Sequence, residues 1–288
     1  QIAENALRLQ ETAKTLAMLD VLLSFAHQAY EWDYCRPAFI REDRIHIVDG
    51  RHPVVERQLE GTFIPNSLQI GEKTNRIEII TGPNMAGKST YMRQNALMII
   101  MAQMGSFVPA QSCTLSITDK IFTRVGATDH LARGESTFMV EMKEMAEILD
   151  QATDRSFLIL DEVGRGTSTN DGMAIAYAIL EYLSRRLQAK TLFATHYHEL
   201  TTLEKKNNPI SNRKVDIAEK EGKLVFLRKV VEGKADRSYG IEVARLSGLP
   251  QEILDRAQFL LHQMEAEDKG SLVKGAGQST QRQQDFSD

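Results

Sequence analysis

Eight consecutive residues carry the clearest chemistry in this sequence: Gly82, Pro83, Asn84, Met85, Ala86, Gly87, Lys88 and Ser89, with Thr90 next. Two glycines let a backbone curl until successive N–H groups point inward, the geometry that cradles phosphate oxygens. Lys88 follows the second glycine, where its ammonium reaches the β and γ phosphates of a nucleoside triphosphate, and Ser89 offers a hydroxyl to Mg²⁺. An apolar run, Ile77-Glu78-Ile79-Ile80, precedes the loop and predicts a buried strand. A helical pattern from Thr90 to about Met104 follows it, adding a positive helix end at the phosphates.

Two further groups suit the same chemistry. Phe157-Leu158-Ile159-Leu160 leads into Asp161-Glu162. A carboxylate at the end of a buried strand can hold Mg²⁺ and its neighbour can polarise an attacking water, so Asp161 is assigned to the metal and Glu162 to the base. His196 follows the apolar run Thr191 to Ala194. An imidazole there can sense the γ phosphate or orient the water. His196-Tyr197-His198-Glu199 also suggests a metal site, but no further ligand set with suitable spacing accompanies it.

The elements that must position these groups alternate between short apolar runs and longer helical stretches up to about residue 200. That alternation predicts an α/β fold with a mostly parallel central sheet covered by helices. Residues 1 to about 33 predict one long helix, with Leu9, Leu16, Leu19, Leu23, Ala26 and Tyr30 on one face. That unmatched face points to a partner segment upstream. From about 36 to 80, prolines and glycines punctuate strands and turns. Pro250 opens another helix with Ile253, Leu254, Ala257, Leu260, Leu261 and Met264 on one face. From Lys269 onward the composition predicts a disordered tail.

The whole chain has 288 residues, 42% hydrophobic and 26% charged, with a net charge of −4. A domain that held nucleic acid alone would more often be basic. Cys35 and Cys113 form no motif, which suits a reducing cytosol. No apolar run of about 18 residues predicts a membrane span, and no secretory leader opens the chain. A start at Gln1 rather than Met is what a fragment or a processed product would be expected to show.

Several segments together resemble the ATPase domain of the MutS family of DNA mismatch repair proteins, within the ABC ATPase superfamily. They are Gly82 to Thr90, Asp161 to Thr169, Phe193-Ala194-Thr195-His196-Tyr197, Ser136-Thr137-Phe138-Met139-Val140-Glu141-Met142, and Arg51-His52-Pro53-Val54-Val55-Glu56. The resemblance spans about residues 10 to 265. It implies an ABC-type P-loop NTPase that binds ATP or ADP with Mg²⁺ and hydrolyses ATP. It also implies a division into 1–36, the end of a lever and core helical region; 37–240, the ATPase domain; 241–268, a helix-turn-helix dimerisation segment; and 269–288, a disordered tail.

Further roles come from the resemblance alone. Phe63 and Ile64 would contact the adenine and Asn66 would sit beside it. Ser136 would reach across a homodimer, or a dimer with a related subunit, to the partner's γ phosphate. Asn170-Asp171-Gly172 would form the loop between the two sites. Lys214 falls where some bacterial members carry a base-contacting His, so that contact stays unassigned. Mismatched DNA would be held by domains outside this sequence, a MutL-like protein would be the repair partner, and the setting would be the bacterial cytosol or nucleoid, with no membrane. An ATP-binding subunit of a membrane transporter would share the loop, the Asp-Glu pair and the His, but its Leu-Ser-Gly-Gly-Gln signature is absent. A dimerisation platform at about 240–265 is compatible with the ATPase role.

Overall fold

A computed structural model gives an α/β protein with two mixed sheets. It describes residues 5–71, 75–83, 86–126, 136–205, 208–220, 223–235 and 239–264. The disordered tail expected at 269–288 lies outside the described residues, as do Asn84 and Met85 of the expected phosphate loop.

The larger sheet has six strands in the order β10-β9-β4-β8-β7-β6. These are β4 (Ile77–Thr81), β6 (Ile121–Arg124), β7 (Phe157–Asp161), β8 (Lys190–Ala194), β9 (Ile210–Lys220) and β10 (Lys223–Glu232). All neighbours pair in parallel except β10 with β9. The smaller sheet, in the order β1-β5-β2-β3, contains β1 (Ala38–Phe39), β2 (Ile45–Gly50), β3 (Asn66–Ile70) and β5 (Ser112–Leu115).

The central strands are apolar on both faces because both faces are covered. Successive strand residues point to opposite sides. Phe157, Ile159, Leu192 and Ala194 therefore meet Met92, Met98 and Ile99 of helix α3 (Lys88–Gln103) and Ile45, Ile47, Leu68 and Ile70 of the smaller sheet. Leu158, Leu160 and Phe193 face the other way, onto Met145 and Ile148 of α4 (Thr137–Gln151) and Ala176 and Leu180 of α5 (Thr169–Tyr182). All of these strand side chains are fully buried. At roughly 25 cal/mol per Å² of apolar surface, each Leu, Ile or Phe among them contributes on the order of 2 kcal/mol.

Charged residues also enter this interior, each with a partner. Lys190 is 0% exposed, and its ammonium bonds Asp43, which Arg76 also reaches at 2.7 Å. Glu78, on β4, accepts from Tyr91 of α3 at 3.1 Å and from Arg213 of β9 at 3.1 Å. Burial pushes the Glu78 carboxyl above its usual range despite the guanidinium beside it.

Helix α1 (Ala6–Glu31) covers most of the predicted first helix. None of its residues is buried, and Met18, Val21 and Leu22 are exposed along with Leu9, Leu16, Leu19 and Leu23. Its apolar residues are thus not confined to one face. Residues 1–237 form one compact unit and 238–288 a second. The second contains α6 (Gly240–Leu246) and α7, described over 251–264, with a short turn ending at Pro250 between them.

Candidate functional site

Parallel pairing brings the carboxyl ends of β4, β7 and β8 side by side, since Asp161 is in register with Ala194 and Ile80 with Ala194. In open α/β sheets this edge is where ligands bind. Gly82 leaves β4 with φ +140° and Gly87 caps α3 with φ +105°, conformations that glycine alone adopts freely. The Lys88 ammonium turns back into the loop and bonds the carbonyls of Gly82 at 2.7 Å and Pro83 at 3.1 Å. Burial pushes its pKa down, while Glu162 and Asp161 oppose the shift. A cation so poorly hydrated gains strongly from the approach of an anion.

Ser89 and Asp161, far apart in sequence, meet with Oγ donating to Oδ2 at 2.7 Å. They line a cavity of 530 Å³ together with Glu162, Arg165, Arg93, Arg124 and Glu141. Two oxygen donors of this kind suit Mg²⁺, which takes few protein ligands and completes its shell with phosphate oxygens and water. Among the described residues, no three His, Cys, Asp or Glu side chains gather as a metal site of their own.

Glu162 lies one residue past β7 in the left-handed backbone region, φ +56°. That conformation costs a non-glycine residue about 1–2 kcal/mol and persists only where the surroundings enforce it. Its N–H donates to Ala194 O at 2.9 Å. Its carboxylate meets His196 Nε2 at 2.5 Å on one oxygen and Arg165 on the other. The His196 bond, with help from Arg165, lowers the carboxyl pKa to about 2 against the cost of burial. The group is therefore an anion at neutral pH, able to accept a hydrogen bond from water and only weakly basic while His196 and Arg165 hold it. Each oxygen holds one partner and keeps a further lone pair that a water can reach.

Phe63, Ile64 and Asn66 line a second cavity of 240 Å³ with Gly87, Thr90 and Tyr91, on the other side of the α3 start. Ile64 is partly exposed and Asn66 is buried. The Asn66 amide is engaged by backbone: its Nδ2 donates to Arg228 O at 3.0 Å and its Oδ1 accepts from Val230 N at 2.7 Å. There β10 carries a bulge, with Arg228 at φ +54°. The bulge brings Arg228 to the cavity, as bulges commonly re-aim side chains at sites.

Short helix α2 (Val55–Gln58) has two faces. Val55, with Leu59 just beyond the helix, lines this second cavity. Glu56 and Arg57 hold the end of α1: Arg51 bonds Glu56 at 2.7 Å and Trp32 O at 2.8 Å, and the Arg57 guanidinium lies 4.6 Å over the Trp32 ring. His52 Nδ1 accepts from Val54 N and Val55 N at 3.3 Å, capping α2.

Ser136 caps α4, accepting from Met139 N at 3.2 Å, and is exposed. It does not line the cavity beside Ser89. Asn170, Asp171 and Gly172 occupy the first turn of α5, capped by Ser168, rather than a loop. Sequence reasoning missed Arg93, Arg124 and Glu141, which reach the cavity through tertiary folding. Arg165, three residues after Glu162, carried a local signal as an opposite charge at close spacing.

The family model of MutS domain V matches residues 78–265. Three DNA mismatch repair proteins MutS are similar over most of this chain. That of Thermodesulfovibrio yellowstonii is 56% identical over 264 residues, covering 90% of this chain and 31% of the relative. That of Caldicellulosiruptor bescii is 56% identical over 264 residues, 91% of this chain and 31% of the relative. That of Clostridium kluyveri is 53% identical over 278 residues, 96% of this chain and 32% of the relative. The chain thus spans about a third of the length of these relatives. A phosphate-type loop, a strand-end Asp-Glu pair and a His at one sheet edge stand in a sequence so matched, and the chain belongs to the MutS family of DNA mismatch repair proteins.

Proposed function

We propose that this chain binds and hydrolyses ATP with Mg²⁺, as the ABC-type P-loop ATPase part of a mismatch repair protein. The observation that carries the reading is the meeting of Ser89 with Asp161 beside Lys88, Glu162 and His196 at the carboxyl ends of β4, β7 and β8. The loop Gly82 to Thr90 would wrap the phosphates and Lys88 would neutralise them. Ser89 and Asp161 would hold Mg²⁺, which neutralises charge on the phosphate oxygens when bound. Glu162 would accept the proton of the attacking water, with His196 orienting the carboxylate and sensing the γ phosphate. The second cavity would take the adenine, stacked on Phe63 against Ile64. Asn66, its amide committed to the β10 bulge, would shape that pocket rather than read the base through hydrogen bonds.

The exposed cap Ser136 supports a dimer in which it meets the partner's γ phosphate. Exposed Leu246, Leu249, Ile253 and Phe259 on α6, α7 and their turn support a dimerisation role for 241–268. On this reading 1–36 belongs to the lever and core region and 37–240 to the ATPase domain. Nucleotide state would then set the grip on mismatched DNA held by other parts of the protein, in the bacterial cytosol, with a MutL-like partner. Among the described residues, no helix is long and apolar enough to cross a membrane.

Calorimetry and phosphate release test the site. Lys88→Ala should abolish ATP binding. Glu162→Ala should keep binding and lose turnover by on the order of 10³-fold. Undiminished ATP affinity in Lys88→Ala would sink the assignment.

A further inference from the structure

Gly164 is gripped from both sides by side chains to which the proposed nucleotide chemistry assigns no role, although one of them, Glu141, borders the cavity beside Ser89. Its N–H donates to Glu141 Oε1 at 2.7 Å, and its carbonyl accepts from the Tyr197 hydroxyl at 3.1 Å. Glu141 is buried on α4, the helix that Ser136 caps. Tyr197 directly follows His196, and Gly164 lies just beyond Glu162. The grip needs two glycines. A Cβ on Gly164 would stand 2.5 Å from the Gly172 carbonyl oxygen, and one on Gly172 would stand 2.6 Å from the Tyr197 hydroxyl. Glu141 is itself held from β6, whose last residue Arg124 lies 3.8 Å from it and 3.0 Å from Glu144. A buried carboxylate needs such a cation and such a donor to stay in place.

We propose that Glu141 and Tyr197 are positioning residues that hold the Glu162 carboxylate in register with the reacting phosphate, Glu141 carrying the position of α4 to it. The inference rests on the proposed nucleotide site. Strand β7 anchors the near end of the turn at Asp161, and the Gly164 grip anchors its far end. Between them Glu162 sits at φ +56°, a conformation that relaxes unless both ends are held. The phosphate contacts expected of Lys88 and Ser89 lie on α3, outside this turn. Loosening the grip therefore costs rate and spares binding. Because Ser136 begins the helix that carries Glu141, a partner contact at Ser136 would be delivered to Glu162 through Gly164.

The test compares Glu141→Ala, Glu141→Gln and Tyr197→Phe in the full 288-residue chain. ATP affinity with Mg²⁺ is measured by calorimetry, and kcat and KM by phosphate release. Glu141→Ala and Tyr197→Phe should lower kcat by about tenfold to a hundredfold with affinity and KM within about twofold, the signature of misplaced chemistry rather than lost binding. Glu141→Gln keeps an acceptor oxygen for Gly164 and should recover most of the lost rate. A purely structural role would weaken affinity along with rate, with no recovery in Glu141→Gln, and would overturn the inference. An unchanged kcat in Glu141→Ala, or in Tyr197→Phe if Glu141→Ala does not fold, would overturn it and leave the proposed function standing. No turnover by the unaltered chain would overturn both.

Discussion

Glu162 concentrates the energetics of the site in one residue. The His196 bond, and then Arg165, hold its anion and lower the carboxyl pKa from an ordinary 4.5 to about 2. A folded pKa below the unfolded one means stabilisation that is whole above pH 4.5 and lost as pH falls toward 2. Thermal melts of the unaltered chain and Glu162→Gln between about pH 6 and pH 3 should show a Tm gap that narrows below 4.5. A gap independent of pH would contradict the pairing. At this scale the sequence was most informative: residue types and spacing picked out Lys88, Ser89, Asp161, Glu162 and His196, which the fold gathers at one edge. The left-handed backbone of Glu162 was not legible, because nothing in Asp-Glu-Val-Gly announces which residue turns.

Elements were legible where continuous apolar runs marked strands buried on both faces. The predicted strands at 77–80, 157–160 and 191–194 are β4, β7 and β8 to within a residue, since apolar runs covered on both faces leave little choice. The hairpin of β9 and β10 was not anticipated. Its segments, such as Ile210-Ser211-Asn212-Arg213-Lys214, mix charges with apolar residues, and their pairing is set by β4. The role of Asn66 was hidden for the same reason: its partners arrive from Arg228 and Val230, on a distant strand. Asn66→Ala would leave that bulge without its splint and deprive two part-buried backbone groups, Arg228 O and Val230 N, of their side-chain partner. The expected cost is about 1–3 kcal/mol in denaturant unfolding, with ATP affinity reduced as Arg228 shifts. Unchanged unfolding would show the bulge to be self-supporting.

Across the whole first unit, two sheets are tied at the end opposite the loop that begins at Gly82. Asp43 precedes β2 of the smaller sheet, while Arg76 precedes β4 and Lys190 opens β8 of the larger. Lys190 is 0% exposed, so removing its carboxylate leaves a buried cation without its anion. Asp43→Asn should destabilise the chain by about 3 kcal/mol in urea unfolding. Lys190→Met, which removes the charge and keeps the stem, should cost less. Equal losses would mean that packing, not charge pairing, dominates there. No local pattern in the sequence joined Asp43 to Lys190, because two different sheets meet only in the folded chain.

The arrangement around α2 also supplies an optical probe. Trp32 is the sole tryptophan of the chain, and the charge resting on its ring belongs to the helix whose other face borders the proposed adenine pocket. Indole emission responds to a cation a few ångströms away, so filling that pocket should change the fluorescence of the unlabelled protein. Titration with ADP should give a saturable change in intensity or wavelength that is lost in Arg57→Ala while calorimetric affinity persists. A silent Trp32 at saturating ADP would mean that α2 stays still when the pocket fills. With a signal, nucleotide arrival and departure could be timed by stopped flow without a dye.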